Sequence, residues 1–236
     1  MKFNRENYQL TGLELFYLAS LVGGVRVPGV EIDLEANSDL KLRSMMDAQQ
    51  RSLEKRGYLE VDFDGIARMN PVLRQFITLA SQCEAYFCQY NQIRDEAIQR
   101  AYYFSQGTTH FEMTYDSEQD MFIVQQMYGL HELLFQVIDR FPLIESSLGT
   151  SMELKGKELH EWTEEMLQGG AIHSSISRID WLNEEIAITK EYSLLLTKDQ
   201  TWKLDNHSLN ESCLVSTITF ETAMDELAAW IKETVG

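Results

Sequence analysis

The chain has 236 residues, 44% of them hydrophobic, and a formal net charge of −17. That length accommodates one large domain or two smaller ones around an ample core, and the composition excludes long disorder. The charge is uneven: residues 1–82 hold ten Lys/Arg against eleven Asp/Glu, and the remainder holds ten against 26. Such an acidic body either serves solubility alone or repels phosphate backbones and anionic lipid surfaces, so nucleic acid and membranes are poor partners. The N-terminus Met-Lys-Phe-Asn-Arg-Glu-Asn is polar, and no apolar run approaches the roughly 18 residues of a membrane span. Cys83, Cys88 and Cys213 form neither a disulfide framework nor a zinc spacing. They read as free thiols of a reducing compartment, and a cytoplasmic protein is expected.

In chain order, Thr11 and Glu14 have the T-x-x-E spacing of a capping box. Leu13, Phe16, Tyr17 and Leu21 follow at helical spacing until Gly23-Gly24. Val25–Leu34 is β-branched and broken by Pro28-Gly29, which predicts a short strand or extended loop. Asn37 or Ser38 can cap a helix running through Arg56, with Leu42, Met45, Met46 and Leu53 as its apolar face. Gly57 closes it, and Tyr58–Phe63, Asp64-Gly65 and a return strand to Met69 read as a hairpin. Asn70-Pro71 starts a further helix with a buried stripe of Leu73, Phe76, Ile77 and Leu79. Helix followed by a two-stranded wing is the pattern of a winged-helix unit over residues 1–82.

From Cys83 the period becomes alternating. Ala85–Tyr90, Ala97–Gln106, Thr109–Tyr115 and Met121–Tyr128 predict an antiparallel meander, with turns at Gly107 and 116–120. Helices are expected over Leu130–Phe141, Lys157–Leu167 and Ile172–Ile186. The strands Ala187–Leu196, Thr201–Leu204 and Cys213–Phe220 follow, and then an amphipathic helix over Glu221–Val235 carrying Met224, Leu227, Ala228 and Ile231. Residues 83–236 thus form a meander-and-helix segment, and the fold class is α+β. Gly12-Leu-Glu-Leu-Phe16 resembles Gly129-Leu-His-Glu-Leu-Leu-Phe135. Chance or a duplication relating 12–128 to 129–236 accounts for this equally, and a duplication would give two quasi-symmetric subdomains.

Chemistry-bearing motifs are sparse. His131-Glu132 starts like a helical zinc motif, but Phe135 stands where the second histidine belongs. His160 and Glu164 share a helix without an identifiable third ligand. No nucleophile elbow, phosphate loop or dinucleotide turn occurs, so no catalytic residue, cofactor or metal is assigned and the chain is not expected to be an enzyme. Lys41, Arg43, Arg51, Lys55, Arg56 and Arg68 lie where a winged helix contacts phosphates, but Glu60, Asp62 and Asp64 oppose a DNA backbone there.

Leu-Thr-Gly-Leu-Glu at the first helix, the Val27-Pro28 segment and Leu-Glu-Lys-Arg-Gly-Tyr-Leu resemble one family. So do the following hairpin and Asn-Pro-Val-Leu-Arg-Gln-Phe. Over about the first 82 residues the chain resembles the EspG-like chaperones of type VII (ESX) secretion, as a distant Gram-positive relative. The resemblance implies an α+β fold of two quasi-symmetric subdomains, no cofactor, and a cytosolic adaptor that holds helical-hairpin secretion substrates. No binding residue transfers from the family. On aromatic and methionine content, Tyr103, Phe111, Tyr115, Met121 and Phe122 are the partner-binding candidates. The alternative expectation is a winged-helix transcriptional regulator with an acidic sensing or dimerisation domain.

Overall fold

The computed structural model describes residues 7–24, 26–33, 38–93, 96, 98–145, 149–182, 185–207 and 212–235. The chain divides into two compact units, 1–86 with 102–127 and 87–101 with 128–236. Strands from 102–127 therefore cluster with the N-terminal helices rather than with the C-terminal segment.

The first unit begins with β1 (Asn7–Leu10) and α1 (Gly12–Leu21). The capping box forms: Glu14 N–H donates to Thr11 Oγ1 at 3.2 Å, and Thr11 N–H to Glu14 Oε2 at 2.9 Å. The inward face is Leu15, Leu18 and Ala19, with Leu21 exposed. The expected stripe of Leu13, Phe16, Tyr17 and Leu21 is thus displaced, because α1 is apolar nearly all round and its period singles out no face. Residues 26–33 carry no strand, and Val25, Leu34 and Asn37 lie outside the described residues. Ser38 caps α2 (Asp39–Lys55), and Gly57 leaves the helix at φ +70°. β2 (Leu59–Val61) and β3 (Ala67–Met69) pair antiparallel. Asp62 Oδ1 accepts from the N–H groups of Asp64 and Ile66, and Gly65 at φ +80° closes the turn. Asn70 and Pro71 open α3 (Pro71–Gln82), which buries Leu73, Phe76, Ile77, Leu79 and Ala80.

The meander is β4 (Ala85–Ile93), β5 (Gln99–Gln106), β6 (Thr109–Asp116) and β7 (Met121–Tyr128), close to the expected spans; Ala97 lies outside the described residues. Phe76 packs on Phe104 and Phe111 at ring separations of 5.7 and 5.5 Å, seating α3 on the sheet. β1 pairs antiparallel with β7, Leu10 opposite Phe122, so the N-terminal helices hang from a sheet strand at both ends.

The second unit contains α4 (Leu130–Asp139), β8 (Ser151–Lys155), α5 (Gly156–Gln168), β9 (Ile172–Leu182), β10 (Glu185–Leu196), β11 (Thr201–His207), β12 (Ser212–Ile218) and α6 (Phe220–Val235). The helix expected over Ile172–Ile186 is instead β9 and the start of β10. Ile172, Ile176 and Ile179 imitate the i, i+4, i+7 spacing of a helix, but Ser174–Ser177 are all buried, as in a strand covered on both faces. Eleven paired positions with β10 decide the matter. The edge strands β1 and β8 were not expected either; both are short, and β8 is polar.

The strands pair in the order β1-β7-β6-β5-β4-β9-β10-β11-β12-β8. This order is a topological repeat. An edge strand, a helical segment (α1 to α3 with the β2–β3 hairpin), a four-stranded meander and a closing helix run from β1 to α4, and β8 to α6 repeats this order with α5 in place of the helical segment. In each series the edge strand pairs with the last strand of its own meander. The repeat starts at residues 7 and 151, so the similar Gly12 and Gly129 segments, in α1 and α4, occupy different places in it. In the second unit, α5 buries Leu159, Trp162, Met166 and Leu167 on the sheet face holding Leu195, Trp202, Cys213 and Val215. α6 meets the opposite face, where Tyr192 and Lys203 both donate to Glu226 Oε2.

Candidate functional site

The five sequence candidates separate on burial. Tyr103 and Phe111 have no exposed surface and Phe122 has 8%, so all three are core residues rather than contact residues. Only Tyr115 and Met121 reach solvent. The Tyr115 ring lies 5.0 Å from that of Phe122, and its hydroxyl donates to Asp120 Oδ1 at 2.7 Å, which raises the phenol above its ordinary range. Alternation marks a strand, but in a sheet buried on both faces it does not mark which aromatics are outside.

Two cations of the expected phosphate-contacting set are engaged within the fold. Arg56 pairs with buried Glu14, donates to Gln9 O at 2.5 Å and lies 4.8 Å over the Tyr58 ring. Arg68 lies 3.5 Å from Asp62. A groove of about 390 Å³ beside α3 is lined by Met69, Arg74, Gln75, Thr78, Gln106 and Thr109, which offer one cation and neutral polar groups but no paired acid and base. Among the described residues no group of three His, Cys, Asp or Glu could hold a metal ion.

Among the described residues of the second unit, His173 pairs with a serine. His173 Nε2 lies 2.8 Å from Ser193 Oγ, and Nδ1 lies 3.5 Å from Tyr90 OH. Burial lowers the imidazole below its ordinary range, against the opposing pull of Glu191. Ser193 is only 5% exposed, so a substrate carbonyl has no approach to its hydroxyl; the pair satisfies polar groups inside the sheet.

A different surface stands out on the β9–β10 hairpin. Beyond residue 191 both faces of β10 are buried, but from Glu185 to Glu191 every residue except half-buried Ala187 is exposed. Within this arm Ile186 lies opposite Trp181, and Ile188 opposite Ile179. Directly opposed residues share a face, so these four apolar side chains form two adjacent cross-strand rows. Ile186 and Ile188 are 58% and 63% exposed. A bulge at Thr189 makes the arrangement possible, because the register shifts between Ile188 and Lys190. Strict alternation would put Ile186 and Ile188 on the face of Lys190, Tyr192 and Leu194; the extra residue moves them to the face of Glu191, Ser193 and Leu195.

The other face of the arm is tied to α6. Arg178 donates to Thr234 O at 3.0 Å, and Lys190 to Glu233 at 2.8 Å. Thr189 donates to Asp180, whose other oxygen accepts from Arg178 at 2.9 Å. These bonds hold the carboxyl of Asp180 below the usual range against its desolvation.

This fold is that of a solved chaperone. Over 94% of this chain and 94% of the other, it matches the Mycobacterium tuberculosis type VII secretion system chaperone EspG5, solved in complex with a PE25-PPE41 dimer, with a TM-score of 0.62 and 7% sequence identity. At that identity the likeness establishes the fold. No protein-family profile matches the chain, and no curated protein matches it. Among the described residues no helix is long and apolar enough to cross a membrane.

Proposed function

We propose that this protein is a non-enzymatic, cytosolic chaperone or adaptor that holds helical-hairpin substrates of a type VII secretion system before export. The observation that carries the reading is the likeness of fold to EspG5 along nearly the whole of both chains. An exposed apolar sheet face supports it, since a protein that shields helices needs such a face and an enzyme does not. The engagement of Arg56 with Glu14 counts against the regulator reading, because that reading needs the guanidinium for phosphate.

The test is co-expression with helical-hairpin substrates of a type VII secretion system, followed by gel filtration. A stoichiometric complex that persists at moderate salt is the expected result, because an apolar contact is not screened. Tight, steeply salt-dependent binding to duplex DNA, with no substrate complex, would overturn the proposal.

A further inference from the structure

We infer that the apolar face of the β9–β10 arm is a docking surface for one amphipathic α-helix of a partner protein, and that this helix carries Lys or Arg beside its apolar stripe. The inference rests on the chaperone reading only for where the helix comes from. Ile179, Trp181, Ile186 and Ile188 supply the apolar contact. Their two rows stand about 7 Å apart along the strands, and a helix presents successive apolar residues about 5–6 Å apart on one face. Two consecutive turns therefore seat over the two rows.

Charge fixes the rest of the partner's chemistry. Both cations of the arm, Arg178 and Lys190, sit on the opposite face in bonds to Asp180, Thr234 O and Glu233. Among the described residues of the arm, the charge on the apolar face is Glu191, adjacent to the Ile179–Ile188 row and accepting from Ser177 Oγ at 3.3 Å. The unit as a whole carries 21 Asp/Glu against 10 Lys/Arg. An apolar strip with an acidic end in an acidic unit attracts a basic-flanked helix and repels an acidic one.

The test uses the full chain and two synthetic helical peptides of about 20 residues with the same leucine stripe, one flanked by Lys and the other by Glu. Binding is read by fluorescence anisotropy. The Lys peptide should bind at least tenfold more tightly than the Glu peptide. Ile186→Asp combined with Ile188→Asp should weaken it at least tenfold with an unchanged melting temperature, since both side chains already face water. Glu191→Lys should narrow or reverse the preference. Equal binding of the two peptides, no binding of either, or full affinity in the double isoleucine variant would overturn the inference. A secretion substrate that binds the parent and the double variant equally would also overturn it while leaving the chaperone reading intact. Lys-peptide selectivity that needs the two isoleucines, in a chain that binds no secretion substrate, would sustain the docking surface and sink the chaperone reading.

Discussion

Arg56→Ala is expected to destabilise the N-terminal unit by about 3 kcal/mol, because it leaves a carboxylate buried without its counter-ion. The Glu14 side chain is 2% exposed and that of Arg56 29%. Removing one partner of a fully buried pair costs roughly 3–5 kcal/mol, and the partial exposure of Arg56, which admits water, places this pair at the lower end. The same guanidinium donates to Gln9 O in β1 and to Ser52 O in α2, so three elements lose a shared tie. For a chain of this size the melting temperature should fall by about 6–12 °C, read by circular dichroism together with the urea midpoint. Glu14→Gln in the Arg56→Ala background separates the causes. If the buried charge is the cost, the double variant loses at least about 1.5 kcal/mol less than the sum of the singles. A loss below about 1 kcal/mol for Arg56→Ala, or strict additivity, would refute the reasoning.

Gly29 has φ +79°, and a Cβ there would stand 2.3 Å from the Tyr102 ring, so Gly29→Ala should cost on the order of 2–3 kcal/mol in urea unfolding. At Gly107, φ +60° with open space, the same change should cost only about 1 kcal/mol. Burial holds His173 below its ordinary value, so the native state binds fewer protons than the unfolded one. Stability is then full above about pH 6.5 and is lost as pH falls through the folded value. The drop in urea midpoint between about pH 7.5 and pH 5.5 should shrink in His173→Gln, and not vanish, because buried His110 is lowered too. Cys83, Cys88 and Cys213 are each pushed up to about 11 by burial, so iodoacetamide at about pH 8 should label the native chain about a hundredfold more slowly than the unfolded chain.

The local signals that the sequence determines are those whose physics is local. Thr11 with Glu14, Ser38, Asn70-Pro71 and the Gly57 and Gly65 positions act within a few residues, and each cap or turn stands where its spacing places it. The β4–β7 meander was legible for the same reason, as alternation broken by turn residues. The tertiary structure alone decided which side chains face out. Pairing partners for β1 and β8 lie more than 50 residues away, so nothing near either strand announces it. Tyr103 and Phe111 look like a sticky surface in one dimension and are core in three, because both faces of that part of the sheet are covered. Ile186 and Ile188 are the converse. Strict alternation with Tyr192 and Leu194 would put them on the face tied to α6, and one extra residue at Thr189 turns them to the other. A bulge is set by the register of two strands against each other, and a single strand's sequence does not contain that register.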